Sequence, residues 1–288
     1  MTGTDVALAL LTAVLWGVAF VATRWGLDSF SPPVLVVLRF VIAGIPALFV
    51  SRPAVSASRL VATGLTLYAG QFIFQFFGIV YGTPVGVAAL IVQTQGLFTV
   101  LLAVMVFREL PSGRQIGGLL IAFAGLVTIA ATAGGDLTLL GFGLTLVSPI
   151  SFAIGNVLVK KMGIAADLAL TSWLSLVPPL PWLALALAWD GPGAVVRGLT
   201  SASWAGWGAA AFLGVVATTL AYSVWNSLLR RYPVASVTPF ALLVPFVGAL
   251  SSAIVFGERF GAVRLAGMIA VLAGLAVIVL PWPSHQAR

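Results

Sequence analysis

From one end to the other the chain alternates long apolar runs with short polar connectors, and this rhythm leaves few folds open. A hydrocarbon core of about 30 Å is crossed by about 20 apolar helical residues. Runs of that size fall at 5–24, 33–51, 60–81, 84–107, 115–133, 139–159, 168–189, 204–227, 234–256 and 264–281. They predict an all-α integral membrane protein with ten transmembrane helices. Composition supports lipid as the solvent: 61% of the residues are hydrophobic and 7% are charged, against roughly 25% charged in soluble domains. The first run lacks a preceding basic region and leads directly into Arg24 and Trp25, so it reads as a span and not as a cleaved leader.

A net charge of +7 raises the question of nucleic acid, but no basic stripe or basic-aromatic module is present. The cations instead sit singly or in pairs between the runs, where they report topology. On the N-terminal side lie Arg52, Arg59, Arg108, Arg114, Lys160, Lys161, Arg230, Arg231 and Arg288; the opposite side holds Arg24, Arg197, Arg259 and Arg264. The richer side is expected to be cytoplasmic, and an even number of spans puts both termini there. With no cysteine and a single His285 in the tail, no thiolate or histidine cluster for zinc or haem is available, and no cofactor is expected.

The chain also repeats itself. Residues 84–127 match 233–276 without a gap: Pro84 with Pro233, Val85 with Val234, Phe107 and Glu109 with Phe256 and Glu258, and Gly118, Gly125 and Leu126 with Gly267, Gly274 and Leu275. A weaker match sets Trp16–Arg24 against Phe152–Lys160, an aromatic followed eight residues later by a cation. Two halves result, 1–134 and 135–288, with five spans each. Because five is odd, the halves enter the membrane from opposite sides, an inverted repeat of the kind that builds secondary transporters around a midplane site.

The runs VFRELPSGRQIGGLLIAFAGLV and VFGERFGAVRLAGMIAVLAGLA resemble the end of each EamA repeat of the drug/metabolite transporter superfamily. Within it, VQTQGLFTVLLAVMVFRE is similar to the YddG-type aromatic amino-acid exporters. The resemblance implies a multi-pass plasma-membrane transporter, in the inner membrane if the source is bacterial. Many family members carry proline at the midpoint of the fourth helix, as the ninth has Pro245 here; this chain has Gly96.

Polar side chains at membrane depth are costly unless they face a partner or a wet cavity, so they are the candidate site. Gln71 and Gln75 share a face of the third helix with Tyr68. The structural alternative is an interhelical hydrogen bond worth about 0.6–2 kcal/mol. Gln93 and Gln95 point about 200° apart, so one is expected to line the path and the other to pack; Thr99, one turn on, favours the face of Gln95. Trp16 lies in a stripe with Thr12 and Phe20, and Thr218, Tyr222 and Asn226 form another on the eighth helix. Ser148 and Ser151 flank Pro149 in the sixth, while Pro239 and Pro245 sit in the ninth and Pro178, Pro179 and Pro181 in the seventh, where kinks could act as hinges. Arg39, roughly 9 Å inside the second helix, either grips a substrate carboxylate or gates the path; the alternative is snorkelling to the outer interface.

Glu109 and Glu258 occupy matching turns and read as structural, with Ser112 and Gln115 resembling a capping box that opens the fifth helix. Small residues (Gly118, Ala122; Ala266, Ala270, Gly274) form ridges for close packing within the fold or between two protomers.

The expected function is export of a small amphipathic metabolite, with aromatic or large neutral amino acids suggested by the resemblance. A multidrug cation exporter would favour an acidic residue at mid-membrane, and none of the seven Asp and Glu residues is there. A membrane enzyme would need a nucleophile-His pair, a carboxylate dyad or a metal cluster, none of which the sequence offers.

Overall fold

A computed structural model describes residues 1–108, 112–164, 167–232 and 234–280. Among them, nine helices are long and apolar enough to cross a bilayer: Gly3–Leu27, Ala57–Val80, Val85–Val106, Gly113–Ala130, Leu139–Met162, Leu168–Trp189, Trp204–Arg231, Thr238–Phe256 and Ala262–Val279. After the first of these comes a shorter apolar helix, Pro32–Leu48. Together they make the ten expected helices, numbered below as first to tenth in chain order. The second falls short of the expected run 33–51. Its α-helix stops at Gly44 and tightens into a 3-10 turn, Ile45–Leu48, where Pro46 removes a backbone donor. At about 1.5 Å per residue it is roughly 25 Å long, short of a hydrocarbon core of about 30 Å.

Local chemistry sets the ends. Thr2, Thr138, Asp167 and Ser203 each accept a backbone N–H of the first turn that follows. Ser112 and Gln115 form the capping box anticipated at the fifth helix. The sixth and ninth helices end on Gly163 and Gly257 in the left-handed region, at φ 66° and 67°. Glu258 accepts from the N–H groups of Val85 and Gly86 and so caps the fourth helix from the other repeat. Glu109 lies outside the described residues.

Packing follows the repeat. The first helix lies on the eighth and ninth, and the sixth lies on the third and fourth. The second contacts the seventh and eighth, the third contacts the seventh, the fourth pairs with the ninth, and the fifth pairs with the tenth. Exchanging the two halves maps these principal pairs onto themselves. At the fifth–tenth crossing Gly118 and Ala122 meet Gly274 as expected, but the tenth helix turns Gly267 inward and leaves Ala266 exposed: a Cβ on Gly125 would lie 2.6 Å from the Gly267 carbonyl, and one on Gly274 would lie 2.5 Å from that of Gly118. The faces carrying Gly118, Gly125, Gly267 and Gly274 are therefore occupied within the chain. Arg264 closes the same junction, holding Asp136 through bonds of 2.7 and 2.8 Å and Thr132 at 3.1 Å. The hydrogen bond from Arg264 holds the Asp136 carboxyl below its usual range. Apolar side chains such as Leu120, Val127, Leu180, Leu250 and Ile254 point outward, as a lipid-facing surface requires.

Irregular backbone also recurs at matched depth. The third helix winds as a π-helix over Leu65–Gly70, and the eighth does so over Phe212–Leu220. The fourth is interrupted between Val92 and Gln95. The ninth passes through a 3-10 turn, Thr238–Leu242, that contains Pro239. The seventh breaks between Ser175 and Pro179, at its proline run.

Candidate substrate site

At membrane depth such irregular segments free carbonyls that need donors. The π segment of the eighth helix receives one from the first: Trp16 Nε1 donates to Ala217 O at 3.0 Å. That of the third receives one from the sixth: Ser151 Oγ donates to Thr66 O at 2.7 Å. The break in the fourth helix faces the turn in the ninth, and Gln93 Nε2 donates to Ala241 O at 3.2 Å. Three side chains thus hold the bent backbone of one repeat to the other.

Between these braces lies an aromatic cluster drawn from four helices. The Trp16 ring stands 5.1 Å from that of Tyr222 and 5.2 Å from that of Trp225. Tyr222 is 6.1 Å from Tyr68, which stacks on Phe40 at 5.1 Å. Phe72 meets Phe40 at 5.3 Å and Phe76 at 6.1 Å. Tyr68, Phe72 and Phe76 form one i, i+4 stripe of the third helix, with Gln71 and Gln75 on the adjoining stripe.

Arg39 enters this cluster and does not snorkel. Only 3% of it is exposed. Its guanidinium carbon sits 3.8 Å from the centre of the Phe72 ring and 5.7 Å from that of Phe40. Nε donates to Thr218 Oγ1 at 3.0 Å, and that hydroxyl donates onward to Leu213 O at 2.8 Å in the π segment. No carboxylate pairs with Arg39 among the described residues. A desolvated cation–π contact returns about 2 kcal/mol and a hydrogen bond from a charged donor about 1.5–3. Burying the ion costs several kcal/mol even after relaxation. The guanidinium is thus buried on a neutral anchor, and its planar fork is of the shape that pairs with carboxylates.

The remaining candidates divide clearly. Gln71 and Gln75 are buried at 4% and 3% exposure, away from lipid. The side-chain oxygens of Gln71, Gln95 and Ser148 are buried without a partner among the described residues, the condition expected of groups that face a ligand or water. Of the fourth-helix pair, Gln93 packs against the ninth helix and Gln95 keeps a free oxygen, while Thr99 bonds the Gln95 carbonyl and Asn156 among the described residues. Pro239 is half-buried in its 3-10 turn, beside the carbonyl that Gln93 engages. Thr218, Phe40 and Phe72 were not foreseen as partners of Arg39. Only the fold brings residues 39 and 218 together, although the Thr218–Tyr222–Asn226 stripe marked the right face. Two surface cavities lie away from the cluster, one of about 310 Å³ lined by Ser29, Ser31 and Asp190 among others, the other of about 290 Å³ by Arg59, Thr63 and Lys161.

Comparison with known proteins agrees with this architecture. The model of the EamA-like transporter family matches twice, over residues 4–131 and 139–280. A Salmonella typhimurium protein named "Probable amino-acid metabolite efflux pump" is 38% identical over 286 residues, covering 97% of this chain and 96% of that one. Its Escherichia coli namesake is 35% identical with the same coverage. A "Probable terminal-alkyne amino-acid exporter" of Streptantibioticus cattleyicolor is 27% identical, covering 93% of this chain and 91% of its own. A solved crystal structure superposes with a TM-score of 0.66 at 17% identity over 96% of this chain and 97% of its own, a likeness of fold.

Proposed function

The chain belongs to the EamA-like transporter family, and from that premise we propose that it exports amino acids, aromatic or large neutral ones, by alternating access around Arg39. It is a multi-pass membrane transporter and not an enzyme. Relatives named for amino-acid efflux or export support the substrate class. The observation that carries the reading is the buried, carboxylate-free guanidinium of Arg39 inside an aromatic cluster. In this account it takes the substrate carboxylate, the rings of Trp16, Tyr68 and Tyr222 take an aromatic or large apolar side chain, and the free oxygens of Gln71 and Gln95 accept from the ammonium group. Pro239 sits in the 3-10 turn of the ninth helix, where motion would be absorbed, and Ser148 on the continuous sixth helix beside Pro149. The same cation argues against an organic-cation exporter, since no acidic residue among those described joins the cluster to offset it.

The test is counterflow into proteoliposomes of phenylalanine beside phenethylamine, the same ring without the carboxylate. Phenylalanine should exchange and the amine should not; equal exchange of both would remove the carboxylate from recognition. We also place both termini in the cytoplasm, because nine of thirteen connector and tail cations lie on that side. A fluorescent protein that matures only in the cytoplasm, fused after residue 288, should glow; a dark but stable fusion would reverse the orientation.

A further inference from the structure

We infer that the pocket between the N-terminal end of the third helix and the C-terminal end of the sixth binds a phosphate group, supplied by the headgroup of an anionic phospholipid. The pocket, about 290 Å³, is lined by Arg59 and Thr63 on one helix and by Leu158, Lys161 and Met162 on the other. Those spacings put each set on a single stripe, so two stripes face each other across the cavity.

Two independent observations point to a ligand. The first is Thr63, fully buried, whose hydroxyl has no partner among the described residues. Several other helical hydroxyls here return to the preceding turn: Thr12 to Leu8, Thr23 to Ala19, Thr66 to Ala62 and Ser175 to Thr171, while buried Ser148 and Ser172, like Thr63, have no partner among the described residues. Thr63 departs from that habit and lines the pocket. The second is charge. Arg59 and Lys161 stand at one mouth without a carboxylate partner among the described residues, whereas Arg24, Arg231 and Arg264 all have one. Two such cations repel, and an anion between them removes the repulsion.

The chemistry fits a phosphate: two cationic donors around its oxygens and a hydroxyl donor behind them. The surroundings favour a lipid over a free ion. Leu158 and Met162 make the pocket apolar on one side, and exposed Ile154, one turn deeper on the sixth helix, continues that surface towards the hydrocarbon. An acyl chain gains from that apolar track and inorganic phosphate does not. Basic pockets between membrane helices are a recurrent setting for anionic headgroups.

The experiment is native mass spectrometry of the purified full chain with added phosphatidylglycerol or phosphatidylcholine, with and without inorganic phosphate. Wild type should retain phosphatidylglycerol in preference to phosphatidylcholine. Arg59→Gln/Lys161→Gln should lower the retained phosphatidylglycerol roughly tenfold or more. Arg59→Lys/Lys161→Arg should restore it, and the charge-matched control Arg52→Gln/Arg230→Gln should leave it unchanged. Equal loss in the control, or no loss in the first pair, overturns the site. Displacement of the lipid by inorganic phosphate would put a soluble ion in the pocket and overturn the lipid assignment.

Discussion

At the scale of single residues, the neighbouring glutamines of the fourth helix show how one residue type serves two ends. Gln93 spends its amide on Ala241 O, whereas Gln95 keeps a buried oxygen free. Gln95→Leu should therefore reduce transport roughly tenfold, the value of about one hydrogen bond to a charged group, with little change in thermal stability. Gln93→Leu should lower the unfolding temperature first, because it orphans a carbonyl at membrane depth. Identical behaviour of the two, read by counterflow and thermal unfolding at matched expression, would undo the distinction. The sequence shows both amides and the 200° between them, but not which way either points, since the carbonyl that decides it lies 148 residues away. Arg39 is legible as an interior cation; its anchor on Thr218 and its seat on Phe72 are not, because each is made only when helices meet.

Among elements, the paired irregularities carry the argument. Prolines mark the bends of the seventh and ninth helices in the sequence. The π segments of the third and eighth have no such mark, because side chains from other helices, Ser151 and Trp16, stabilise them. These segments and the interrupted fourth and ninth helices border the cluster, so they are where a hinge would absorb motion. The fifth–tenth pair is the close-packed counterpart: its glycines were legible as landmarks of the 149-residue repeat, whereas the ridge expected through Ala266 and Ala270 missed Gly267. Gly125→Val should push two backbones apart and destabilise the protein by about 1–3 kcal/mol. Gly117→Val, where nothing stands within 4 Å of an added Cβ, should be tolerated. Equal thermal unfolding of the two variants in detergent would show that the crossing does not depend on close approach.

For the whole molecule, the described carboxylates share one kind of duty at the ends of the spans. Asp5 binds Arg231 and Tyr232, Asp28 pairs with Arg24, and Asp136 pairs with Arg264. Asp167 caps the seventh helix, Asp190 accepts from Ser31, and Glu258 caps the fourth. None joins the aromatic cluster, and arginine does not release its proton in proteins. We therefore expect facilitated movement down the substrate's own gradient, with the repeats rocking about the cluster. The ten-helix plan and its inversion were readable because hydropathy and an odd span count determine them; the aromatic cluster at the centre was not, because it depends on how the halves meet. The most direct measurement is counterflow of labelled phenylalanine in proteoliposomes at equal pH on both sides with a protonophore present, comparing wild type with Arg39→Gln. Wild type should exchange, and the variant should fall roughly 30-fold or more, as losing one partner of a buried charge pair implies; a folded variant that exchanges within about twofold of wild type, or a wild type silenced by the protonophore, would contradict the account.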